Sequence, residues 1–116
     1  MAIKHKKFLE TLPLTINKKW FDQIVSCEKT EEYREVKGYW VKRLTNQNDD
    51  GTVNGNSFYK NFRFVKFTNG YGKNKPWIIV EFKGINMKEI EHEHFFDNKI
   101  DVFAIQLGQI IDRSKI

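Results

Sequence analysis

Apolar residues recur at a spacing of two in several separate stretches of this chain, and a chain patterned that way must pair strands into a sheet. In residues 8–16, Leu12, Leu14 and Ile16 alternate with Pro13 and Thr15, the period of a half-buried strand. Pro13 has no N–H to give a neighbour, so it predicts an unpaired edge or a bend. Residues 77–82 are apolar except for Glu81, which predicts a strand covered on both faces. Residues 102–111 predict a closing strand with Phe103, Ile105 and Leu107 inward. Phe62, Phe64, Val65 and Phe67 predict another, with a change of phase that a bulge would explain. Residues 30–36 form a polar strand: Thr30, Glu32 and Arg34 on one face, Glu31, Tyr33 and Glu35 on the other.

Helical spacing is confined to two short runs. Trp20, Phe21, Ile24 and Val25 make one apolar face behind a candidate N-cap, Asn17, and that helix should end near Cys27 or Glu28. Trp40, Val41 and Leu44 predict a second helix after Gly38. Residues 45–57 read as a mobile loop insertion, with Val53 its only apolar residue. A turn is expected at 69–72 and a polar excursion over 88–99. No fixed-period repeat is present. The order of elements is not the strand–helix alternation of a doubly wound fold. It predicts an α+β, mostly β class: a small barrel or curled sheet of about five to six strands with two or more short helices packed on it.

Composition sets the outer bounds. The chain has 116 residues, which fits a single domain over 1–116. With 40% hydrophobic and 15% aromatic residues it can bury one core and is not a disordered chain. No apolar run approaches the ~18–20 residues of a membrane helix, so no membrane partner is expected. The basic start, 1–7, has no apolar stretch behind it, which argues against a secretory signal. One cysteine, Cys27, cannot close an internal disulfide, which suits a reducing cytoplasm; it reads as a buried small hydrophobe. Twenty Lys+Arg against fifteen Asp+Glu give a formal charge of +5, which allows a polyanion partner without demanding one.

The junction of the first helix and the polar strand is the best candidate site. Lys29 can curl over the face that carries Glu32 and Arg34, and two cations around one carboxylate can hold a phosphate or a polar base edge. The same residues also read as an exposed strand laced with ordinary ion pairs. Glu81, a carboxylate in an apolar strand, needs a partner, and Lys29 or Arg34 are the candidates. Tyr33, Tyr39, Tyr59 and Tyr71 have polar neighbours and are the candidates for stacking on a base, whereas the three tryptophans and Phe21, Phe62, Phe64, Phe67, Phe82 and Phe103 read as core. Tyr71 is preferred, because Gly70 and Gly72 flank it and Lys73 and Lys75 follow; a plain hairpin turn is the alternative. Asn46, Asn48, Asp50 and Gly51 begin a calcium-loop pattern that lacks its closing Glu. His92 and His94 do not complete a zinc site, Gly70 and Gly72 are no dinucleotide fingerprint, and so no cofactor is expected.

One longer run carries a resemblance. Trp20-Phe21-Asp22, Ser26-Cys27-Glu28-Lys29-Thr30-Glu31-Glu32-Tyr33-Arg34-Glu35 and Tyr39-Trp40 resemble the ASCH domain, a relative of the PUA domain. The likeness extends to Asn69-Gly70-Tyr71-Gly72 and to the closing run from Phe103 to Ile111, and leaves out the basic start and the 45–57 loop. It implies a PUA-like β-barrel with a cleft lined by Lys29, Glu32 and Arg34, and RNA as the ligand; the turn's own residues, Tyr71 and Lys73, add to that site for RNA or a nucleotide. One branch of the family is similar to amidohydrolases that deacylate a modified cytidine with a lysine, a threonine three residues later and a glutamate on a later strand. The lysine falls on Lys29 and the glutamate on Glu81, but Glu32 stands at the threonine position, and a carboxylate does not replace a hydroxyl nucleophile. Cys27 stands where the family has glycine, which predicts a different turn. Ribonuclease activity is also associated with the family, with Lys29, Glu32 and Arg34 as acid–base and phosphate-stabilising groups. A hydrolase built on Lys29, Glu32 and Glu81 and an interaction scaffold are the two alternatives to a binding module.

Overall fold

A computed structural model describes residues 8–55, 58–91 and 99–115. The chain runs β1 (Phe8–Ile16), α1 (Lys18–Val25), β2 (Glu31–Glu35), α2 (Gly38–Leu44), β3 (Asn61–Asn69), β4 (Trp77–Glu91) and β5 (Lys99–Arg113). The strands form one mixed sheet in the order β1-β3-β4-β5-β2, with β1 parallel to β3 and every other pair antiparallel. The class is therefore α+β with more strand than helix.

Local chemistry accounts for the early elements. Leu12, Leu14 and Ile16 are buried and Pro13 is exposed, as their alternation requires. Pro13 sits on an edge strand, where its missing N–H leaves no gap in a ladder. Asn17 caps α1 by accepting from the Trp20 N–H at 3.2 Å, and Phe21 and Ile24 enter the core from the helix's apolar face. Cys27 follows at φ 66°, the left-handed conformation that a glycine would adopt. Cys27 is not the buried hydrophobe expected; it is exposed, because that turn points it outward.

Three expectations are corrected in the later strands. The bulge expected in 62–67 is not there: β3 keeps regular register with both neighbours, and the shifts fall between β4 and β5 at Ile79, Val80, Phe82 and Gly84. The strand covered on both faces is β5, where Val102, Phe103, Ala104 and Ile105 are all buried; in β4 only Ile78 and Val80 are. The polar excursion from Lys88 is, as far as Glu91, the last four residues of β4, paired with β5. Polar residues face both sides there, so no alternation marks the strand. The 45–57 stretch pairs with itself and its surroundings, through Thr45 with Tyr59 and Gln47 with Val53. His92 and His94 lie outside the described residues.

The core gathers Leu12, Leu14, Phe21, Leu44, Val65, Phe67, Ile78 and Phe103 between the sheet and the two helices. Among the described residues β1 and β2 share no ladder, so the sheet does not close by backbone pairing. It curls far enough for one side chain to span the opening: Arg34 on β2 donates from Nη2 to the Thr15 carbonyl of β1 at 3.2 Å. The site lies in that opening. No helix among the described residues is long and apolar enough to cross a membrane.

Candidate functional site

Glu32 is the centre of the opening. It stands opposite Ile105 in the β2–β5 ladder, so its side chain shares the core face and is only 6% exposed. A carboxylate so placed needs charged partners. Arg34, two residues along the same face, donates to its Oε2 from Nε at 3.0 Å and from Nη2 at 2.7 Å. Lys29 brings Nζ to 3.5 Å from Oε1. The turn after α1 sets this reach, because the N–H groups of Glu28 and Lys29 both donate to the Gln23 carbonyl. The Lys29 ammonium sits 5.2 Å from the Trp20 ring and 4.9 Å from the Tyr33 ring, and these three residues line a cleft of about 200 Å³ with Glu32. Both oxygens of Glu32 are committed to cations, and the trio carries one net positive charge.

On the other side of Arg34 is a second cleft, of about 290 Å³, walled by Pro13, Thr15, Arg34, Tyr39, Trp40, Arg43 and Tyr71 among others. The Arg34 guanidinium lies 4.8 Å from the Trp40 ring, and that of Arg43 lies 5.3 Å from the same ring. Arg43 is also held by Tyr39, whose hydroxyl accepts from Nη1 at 2.9 Å, and by the Pro13 carbonyl, which accepts from Nη2 at 3.3 Å. Carbonyls on the free edge of β1 thus accept from two arginines, one on β2 and one on α2. Among the described residues Arg43 has no carboxylate in ion-pair range, so its charge is uncompensated. Tyr71, on the turn between β3 and β4, stands at the rim with 86% of its surface exposed. Two fixed guanidiniums beside three aromatic rings can take a phosphate and the flat face of a base together.

The structure thus brings Lys29, Glu32 and Arg34 into one cluster and places Tyr71 in the wall beside Arg34. Lys73 lies two residues further along the same exposed turn and does not line the cleft. Glu81 is not with them. Glu32 faces Ile105 and Ile105 faces Ile85, while Glu81 lies further up β4, about 13 Å away along the strand alone. Its Oε1 accepts the Gln109 N–H at 3.0 Å and is 3.6 Å from Lys83 Nζ. No hydrolytic pair of Lys29 and Glu81 is assembled. The reason is register: Glu81 follows Val80, which faces the core, so it points to the opposite side of β4.

Sequence reasoning missed Arg43 and read Trp40 as core only. The signal was present in α2, where Tyr39 and Arg43 are four apart and Trp40 and Arg43 three apart, the spacings that bring helix side chains together. Tyr33 does not stack in this cleft. Its hydroxyl donates to Glu31 Oε1 at 2.6 Å, and burial with that carboxylate pushes its pKa up to about 12. Tyr59 packs edge-on to Phe103, and burial raises its pKa as well. Among the described residues no three His, Cys, Asp or Glu side chains gather as metal ligands. Comparison with family models, with curated proteins and with solved structures finds no match to this chain.

Proposed function

We propose that this protein is a binding module for RNA or a nucleotide, with its site in the opening between β1 and β2. The observation that carries this reading is the pair of guanidiniums on Trp40, of which Glu32 neutralises only one. Arg34 and Arg43 hold the phosphate, Tyr71 and Tyr39 offer ring faces to the base, and Lys29 with Glu32 fixes Arg34 from behind. The resemblance of residues 20–40 to the ASCH domain supports the same ligand class. The curled sheet, spanned by Arg34, is compatible with the PUA-like barrel that the resemblance implies, and we adopt that barrel as the fold-level reading. A hydrolase built on Lys29 and Glu81 has no support in the geometry, because the two residues are apart and Glu81 is engaged with Gln109 and Lys83 instead.

Calorimetric titration with uridine 5′-monophosphate tests the reading. Arg43→Gln removes a charged donor without disturbing Glu32, so affinity should fall about tenfold or more, the size of one hydrogen bond to a charged group. Unchanged affinity in Arg43→Gln, or no binding by the unmodified protein at millimolar nucleotide, would overturn it.

A further inference from the structure

We infer that the nucleotide cleft is one chamber of a longer groove, and that its ligand is single-stranded RNA spanning at least two nucleotides along the outer edge of β1. This rests on the reading above and extends it. A third cleft, of about 550 Å³, is lined by Thr11, Leu12, Pro13, Lys42, Arg43, Lys60 and Phe62. It shares Pro13 and Arg43 with the cleft that holds Arg34 and Trp40, so Arg43 is the partition between two chambers. Thr11 and Thr15 mark the two ends, about 13 Å apart along an extended strand, more than one chamber's worth of ligand.

The chemistry of the second chamber is that of a backbone track. Among the described residues its lining holds three cations, Lys42, Arg43 and Lys60, and no carboxylate. Lys60 is fixed in place, because its Nζ donates to the Lys42 carbonyl at 3.0 Å. Leu12 and Phe62 give it an apolar floor. The first chamber carries the flat aromatic faces instead. A cationic track leading to stacking rings is the arrangement that holds a single strand. An acidic peptide would meet the cations but would leave Tyr39, Trp40 and Tyr71 without a planar partner.

The test compares uridine 5′-monophosphate, hexauridylate and hexaglutamate on the unmodified protein and on a Lys42→Gln, Lys60→Gln variant. Both lysines are at the surface or half-buried, and glutamine keeps a donor at position 60, so the fold should hold; circular dichroism checks it. Hexauridylate should bind at least tenfold more tightly than the mononucleotide, with a steeper salt dependence. In the variant that advantage should disappear, the slope of log affinity against log salt should fall by about 1.4, and mononucleotide affinity should not change. The groove is overturned if hexauridylate binds no better than the mononucleotide, if the variant binds hexauridylate like the unmodified protein, or if hexaglutamate competes as well as hexauridylate. Loss of all nucleotide binding by the unmodified protein would instead overturn the cleft itself.

Discussion

At the scale of the residue, Glu32 and Arg34 decide how the site must be probed. Glu32 is buried and satisfied by two cations, so removing one leaves a buried charge short of a partner. Arg34→Ala should therefore cost about 3 kcal/mol of stability, the lower end for breaking a buried pair, because Lys29 remains beside the carboxylate. Adding Glu32→Gln should recover part of that loss, and urea denaturation of the two variants checks both. An equal loss in the single and double variants would show that Glu32 does not depend on Arg34. Arg43 is the cleaner functional probe, since its partners are a hydroxyl and a carbonyl. The sequence showed Lys29, Glu32 and Arg34 as a group because a strand's two-residue period and one preceding turn are local facts. It could not show Arg43 beside Pro13, since that meeting depends on α2 folding back against a strand thirty residues earlier.

At the scale of the element, β2 is polar on both faces for two different reasons. One face carries the Glu32 cluster. The other carries Glu31, whose Oε1 accepts from Tyr33 at 2.6 Å and from Lys88 at 3.0 Å, and whose Oε2 accepts from Gln106 at 2.8 Å. This network covers Ala104 and Val102 on the outer side of β5, opposite Tyr33 and Glu35 in the ladder. The Tyr33 hydroxyl, then Lys88 and Gln106, hold the Glu31 carboxyl down at about 2 against an ordinary 4.5. The folded pKa lies below the unfolded one, so the network's contribution is complete above about pH 4.5 and is lost as pH falls through about 2. Tyr33→Phe removes the largest cause. It should cost about 1.5 kcal/mol at pH 7, and the difference should shrink as pH falls below 4.5. Denaturation midpoints at pH 7 and pH 3 check this; an equal loss at both would assign the effect to packing. The far end of β4, residues 88–91, was not legible in advance, because polar residues on both faces erase the alternation that marks a strand; β2, equally polar, was legible from the two-residue spacing of Glu32 and Arg34. β1 and α1 were legible because each has one apolar face and a boundary residue, Pro13 or Asn17, with a local job.

At the scale of the whole molecule, the formal charge of +5 says little and its placement says more. Cations converge on the edge of β1 from three directions: Arg34 from β2, Arg43 and Lys42 from α2, and Lys60 from the approach to β3. The acidic residues Glu89, Glu91 and Asp101 lie on the β4–β5 arm, and none lines a cleft on the β1 edge. An open sheet with two exposed edge strands invites pairing with other chains. Here arginine side chains take the outward carbonyls of β1, so the edge is blunted by the same groups that build the cleft. The most direct test of that dual role is a heteronuclear NMR titration with uridine 5′-monophosphate. The amide signals of Leu14, Thr15, Tyr39, Trp40, Arg43 and Tyr71 should move most and saturate together. Saturable shifts centred on Trp20, Lys29 and Tyr33 instead, or no saturable shift at all, would contradict the account.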